Sequence, residues 1–84
     1  MSDQQTNIEE FDKEAFLKAL GAQIKRIRQE KRLTAAEFAR RMYMERSHVS
    51  RLEAGGTNPT STTLKIVCEA LKINMSELFK DFKY

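Results

Sequence analysis

Tryptophan is absent from the chain, which has one cysteine, one proline, one histidine and three glycines among its 84 residues. A lone cysteine excludes an internal disulfide, and with a single histidine it leaves too few soft ligands for a zinc site, so neither metal nor cofactor is expected. No segment approaches the roughly 20 apolar residues of a membrane span. The N-terminus is polar and acidic, whereas a secretory leader is basic and then apolar; a cytoplasmic protein with no membrane contact is expected. There is no glycine loop to cradle phosphate and no nucleophile placed beside a base. Cys68 falls on the apolar stripe Leu64, Val67, Cys68, Leu71, while His48 falls on the outward face of a different helix. An enzyme is not expected, and no small-molecule ligand is evident. Strand-type alternation and internal repeats are also missing, and low complexity is confined to the first seven residues.

What the chain does have is charge placed unevenly. The net charge of +3 hides an acidic start and a basic middle: residues 1–20 carry net −3, residues 21–53 net +5 and residues 54–84 net +1. A concentrated positive segment attracts polyanions, and an acidic arm stays away from them. The length allows one domain with a small core, a size that commonly gains stability from a partner or a second copy.

The most informative stretch is 33–55, LTAAEFARRMYMERSHVSRLEAG. Thr34 can accept the backbone N–H of Glu37 while Glu37 reaches back to that of Thr34, and Leu33 and Phe38 occupy the positions of a hydrophobic staple. Ala35, Phe38, Ala39 and Met42 follow at i, i+3, i+4 and i+7, one inward stripe with Arg40 and Arg41 outside it. Tyr43, Met44 and Glu45 interrupt the pattern. A second helix resumes at Arg46 with only Val49 and Leu52 to bury, so that Arg46, Ser47, His48, Ser50 and Arg51 point outward. A helix this short and polar needs tertiary packing to hold it. Its free face then either stays merely solvated or is presented to a partner.

Around this pair, Leu20, Ile24 and Ile27 form the inward stripe of an earlier helix. Gly55-Gly56 is a natural helix stop. After Thr57-Asn58-Pro59, either Thr60 or Ser61 can cap a helix running to about Leu71. Asn74 and Glu77, three apart, signal a last helix with Leu78 inward. Ahead of all these, Ile8, Phe11, Ala15 and Phe16 suggest an amphipathic helical arm. It could continue the first helix, pack on its own domain or join a dimer. The expected organisation is a disordered polar tail at 1–7, an acidic amphipathic arm at 8–19, a main domain at 20–79 and a C-terminal tail at 80–84.

From Leu20 to Phe79 the chain resembles the helix-turn-helix DNA-binding domain of the Cro and phage-repressor type, the xenobiotic-response-element family. The resemblance rests on Leu20-Gly21, Ile24, Ile27-Arg28, Leu33-Thr34, Glu37-Phe38-Ala39, Val49-Ser50-Arg51-Leu52-Glu53, Gly55, Asn58-Pro59, Leu64, Ala70-Leu71 and Glu77-Leu78. It implies an all-α fold, a compact five-helix bundle of the phage-repressor type, here with the N-terminal arm added. It also implies a sequence-specific transcriptional regulator of double-stranded DNA that binds a palindromic operator as a homodimer.

By position, the resemblance assigns base reading to Arg46, Ser47 and Arg51, with His48 and Ser50 open to contacting bases or phosphates or to simple solvation. Thr34, the backbone at Ala35, Asn58 and Thr60 match places that hold phosphates. Arg28 and Glu53 match an ion pair that ties the first helix to the recognition helix. Phe79, Phe82 and Tyr84 offer apolar surface for a dimer. Three residues depart from the family pattern. Ala35 stands where relatives usually carry a glutamine that links a phosphate to the recognition helix. Tyr43 stands where glycine is common in the turn, and Glu45 where a hydroxyl residue often caps the recognition helix. Glu45-Arg46-Ser47-His48 also resembles, more narrowly, the recognition helix start in controller proteins of restriction-modification systems. Ala36 and Arg40 stand where some family activators present carboxylates to polymerase, which favours repression. The alternative is an antitoxin or other interaction module that uses the acidic arm and binds DNA mainly for autoregulation.

Overall fold

The computed structural model describes residues 10–84; the expected tail at 1–7 and Ile8 lie outside them. Five helices follow in order: α1 (Lys13–Glu30), α2 (Ala35–Arg41), α3 (Arg46–Glu53), α4 (Ser61–Leu71) and α5 (Met75–Leu78), with no strand among the described residues. The chain is an all-α bundle. Its core takes Leu20, Ile24 and Ile27 from α1, Phe38 and Ala39 from α2, Val49 and Leu52 from α3, Val67, Cys68 and Leu71 from α4, and Leu78 from α5. These are the apolar positions that helical spacing puts on one face of each element. Cys68 is fully buried, and burial pushes its thiol pKa up, as expected of a packing residue.

The boundary expected at residue 19 is not a break. Asp12 caps α1 by accepting the N–H of Ala15 at 3.0 Å, and the helix runs on through Ala19 and Leu20 to Glu30. Most of Lys13–Ala19 are strong helix formers, with neither glycine nor proline to interrupt them. The arm from Lys13 onward is therefore the first two turns of α1.

These added turns hold the chain's other end. Phe16 meets Phe82 and Tyr84 with ring centroids 5.8 and 5.9 Å apart, and Phe79 meets Phe82 at 5.5 Å. Gln23 donates through its amide to the carbonyls of Leu78 at 3.0 Å and Lys80 at 3.3 Å. Phe79 and Phe82, expected to offer free surface to a dimer, are thus half-buried against their own core. Tyr84 remains 58% exposed, as does Phe11 at 54%.

Four helices end in the same way, only one of them on glycine. At the end of α2 the N–H of Met44 reaches the carbonyl of Ala39 at 2.9 Å, and that of Tyr43 reaches Arg40 at 3.1 Å. This is a Schellman closure with its left-handed position at Tyr43. The same pair of bonds closes α1 with Arg32, α3 with Gly55 and α4 with Lys72 at that position. In the three cases without glycine an apolar residue follows, Leu33, Met44 or Ile73, and each packs against the core. The apolar anchor compensates for the left-handed backbone of a residue that has a Cβ. Tyr43 is 97% exposed at φ 57°, so its side chain contributes no packing in return. Tyr43→Gly is accordingly expected to raise stability by up to about 1 kcal/mol in urea unfolding, the strain relieved being partly offset by glycine's greater unfolded-state entropy.

Candidate nucleic-acid interface

The helix-turn-helix unit is built from α2 and α3. α2 starts with the full capping box: Thr34 accepts the N–H of Glu37 at 3.0 Å, and Glu37 accepts that of Thr34 at 2.9 Å. The N–H and hydroxyl of Thr34 hold the Glu37 carboxyl below its usual pKa. This support for α2 is complete above the ordinary glutamate pKa of about 4.3 and is lost as pH falls through the lowered folded value. α2 is also strapped to α4 by Arg41, whose guanidinium donates to the carbonyl of Ala70 at 3.0 Å. Outward periodicity alone did not reveal this role for Arg41.

Two glycines set α3 against α1. A Cβ at Gly21 would sit 2.5 Å from the carbonyl oxygen of Leu52 and 2.6 Å from that of Glu53. One at Gly55, where φ is +81°, would sit 2.7 Å from Lys18 Cα. The backbones touch at both points, so the added turns of α1 also seat the end of α3. A buried ion pair completes the joint. Arg28 Nε donates to Glu53 Oε2 at 2.7 Å and Nη2 to Oε1 at 3.0 Å, while Nη1 donates to the Leu33 carbonyl at 2.7 Å. Both partners are committed to the protein interior, with side chains 10% and 8% exposed.

Held in this way, α3 buries Val49 and Leu52 and leaves Arg46, Ser47, Ser50 and Arg51 exposed. Glu45 occupies the N-cap position without making a side-chain cap, so its carboxylate stays exposed beside the helix start. His48 differs from the outward placement expected. It is half-buried, and its Nε2 is shut off from solvent with no hydrogen-bond partner among the described residues. It lies one turn before buried Leu52, which puts it on the flank of the packed stripe. Of the expected phosphate positions, Thr34, Asn58 and Thr60 are exposed and Ala35 is half-buried. Thr60 caps α4 by accepting the N–H of Thr63 at 3.1 Å. One cleft brings Ala35, Arg46 and Ser50 together with the Arg28–Glu53 pair, and it adds Lys25, which sequence reasoning missed. Among the described residues there is no cluster of metal-ligating side chains, and no helix is long and apolar enough to cross a membrane.

A helix-turn-helix family model matches residues 24–78. The chain belongs to the Cro/phage-repressor helix-turn-helix family. Within this helix-turn-helix family it is 36% identical over 59 residues to the immunity repressor of Bacillus phage phi105; the matched region is 70% of this chain and 41% of that repressor. Among solved structures it is similar to the clp gene regulator ClgR of C. glutamicum, with TM-score 0.73 and 30% identity over 75% of this chain and 81% of that one. The restriction-modification controller protein C.AhdI from Aeromonas hydrophila superposes with TM-score 0.74 and 29% identity, over 77% and 98% of the two chains. The controller protein C.Esp1396I, solved as a tetramer with its natural 35 base-pair operator, gives TM-score 0.73 and 26% identity over 79% and 87%.

Proposed function

We propose that this helix-turn-helix protein is a sequence-specific transcriptional regulator that binds a roughly palindromic DNA operator as a homodimer and represses from it. The observation that carries this reading is α3: two buried anchors, a backbone joint and a buried ion pair fix a helix whose remaining face is polar and cationic. A helix seated in this way enters a major groove, and two copies about one helical turn apart, roughly 34–36 Å, supply the specificity that a single helix lacks. The relatives point the same way, being an immunity repressor and controller proteins, one of them crystallised on its operator.

Within the site, Arg46 and Arg51 read guanine through the guanidinium fork, which matches O6 and N7. Ser47 and Ser50 read more weakly, and His48 supports the helix from its flank. Thr34, the Ala35 backbone, Asn58 and Thr60 hold phosphates and set register. Thr34 is exposed, and its hydroxyl oxygen caps α2 by accepting the N–H of Glu37. Thr34→Ala is therefore expected to cost about 1 kcal/mol of stability in urea unfolding. The same variant should weaken binding alike on preferred and scrambled duplexes. Ala36 and Arg40 are exposed, and neither presents a carboxylate for an activating contact at those positions.

Selection of bound duplexes from a random pool by the purified chain tests the reading. An enriched palindrome with two half-sites supports a dimeric regulator. An enriched motif without symmetry would remove the dimer, and no enriched motif would remove the regulator and favour the interaction module.

A further inference from the structure

The cleft beside the recognition helix occupies about 310 Å³ and is lined by Lys25, Arg28, Ala35, Arg46, Ser50 and Glu53, with Ala54 at its edge. Its charge does not balance. Arg28 and Glu53 neutralise one another in the floor through two hydrogen bonds, and both side chains are nearly enclosed. Lys25 and Arg46 remain, both exposed and neither in an ion pair among the described residues. The cleft is thus a polar hollow with net positive charge, a hydroxyl from Ser50, and only a methyl group at Ala35 to narrow it.

We infer that this cleft seats one phosphodiester of the operator backbone, that Lys25 is its principal cation, and that Arg46 is thereby left for a base edge. The inference rests on the proposed DNA-binding role and extends it to a residue of α1, outside the helix-turn-helix unit. An ammonium is a compact charge on a flexible stem and suits a phosphate as a point contact, whereas the planar guanidinium of Arg46 suits two acceptors of one base. Arg28 is the poorer candidate, because its charge is matched by Glu53 and three of its five N–H donors are directed to Glu53 and the Leu33 carbonyl. Lys25 precedes Arg28 by one turn of α1, so the ion pair that fixes α3 also fixes the distance between the phosphate cation and the base-reading helix.

The experiment compares wild type and Lys25→Ala on the selected operator and on duplexes carrying single methylphosphonate linkages, which remove one phosphate charge at a time. Lys25 is exposed and unpaired among the described residues, so the variant should keep the wild-type melting curve. Lys25→Ala should preserve the selected motif, weaken binding equally on all sequences, and reduce the slope of log K against log salt by about 0.9 per half-site. In each half-site, one methylphosphonate should weaken wild type and have no further effect on Lys25→Ala. If every linkage affects both proteins equally, or if the salt slope is unchanged, Lys25 holds no phosphate and the inference is wrong. A Lys25→Ala variant with an altered motif would place Lys25 at a base and also overturn it. Should wild type itself select no motif, the proposed function fails first and this inference with it.

Discussion

Glu53→Ala is expected to lower stability by about 3–5 kcal/mol, because it leaves the Arg28 guanidinium charged, enclosed and without its carboxylate. The wild-type pair is bidentate, with side chains only 10% and 8% exposed, so water reaching the guanidinium from the cleft would replace Glu53 only in part. Domains have total stabilities of roughly 5–15 kcal/mol, and at the low end of that range, where small cores lie, a change of this size would leave a substantial part of the protein unfolded at 37 °C. Removing both charges together should cost much less. Arg28→Met with Glu53→Leu keeps the volume and avoids the orphaned charge, losing mainly the bond from Arg28 to the Leu33 carbonyl. Urea unfolding followed by circular dichroism measures both variants. A Glu53→Ala loss below about 1 kcal/mol would show that the pair behaves as a solvated surface contact and does not hold α3 to α1.

Arg46→Ala is expected to change what the protein recognises and not merely how tightly it binds. The side chain is exposed on a helix otherwise anchored by Val49 and Leu52, so its loss should leave the melting curve unchanged. One bidentate contact to guanine supplies roughly 1–3 kcal/mol of discrimination, about 5- to 150-fold. The variant's selected motif should lose preference at one position in each half-site while keeping the others. Recovery of the wild-type motif would mean that Arg46 contacts the backbone or nothing, and base reading would pass to Arg51 and the serines.

Much of this organisation is written locally in the chain. Thr34 and Glu37, and again Asn74 and Glu77, satisfy each other's backbone donors within four residues, so composition and spacing suffice to place those helix starts. Val49 and Leu52 were legible as the only apolar residues α3 has to bury. What escaped local reading depends on contacts between distant segments. Phe82 looks surplus until Phe16, more than sixty residues earlier, is seen to meet it, and Phe79 packs in turn on Phe82. The left-handed stops at Arg32 and Lys72 carry no glycine signal, because the following Leu33 and Ile73 do the anchoring. His48 shows the limit of periodicity at the edge of a stripe. Lys25 was missed for a related reason: it is one of many exposed cations on helices, and only the fold puts it in a cleft with Arg46.

The most direct test of the regulator account is the affinity of the purified protein for its selected duplex and for a scrambled duplex of the same length, measured at physiological salt. A ratio of about 10³ or more in favour of the selected duplex, persisting as salt is raised while both affinities fall, is the result predicted. Equal affinities that vanish together with added salt would contradict it, leaving a basic surface that binds any polyanion.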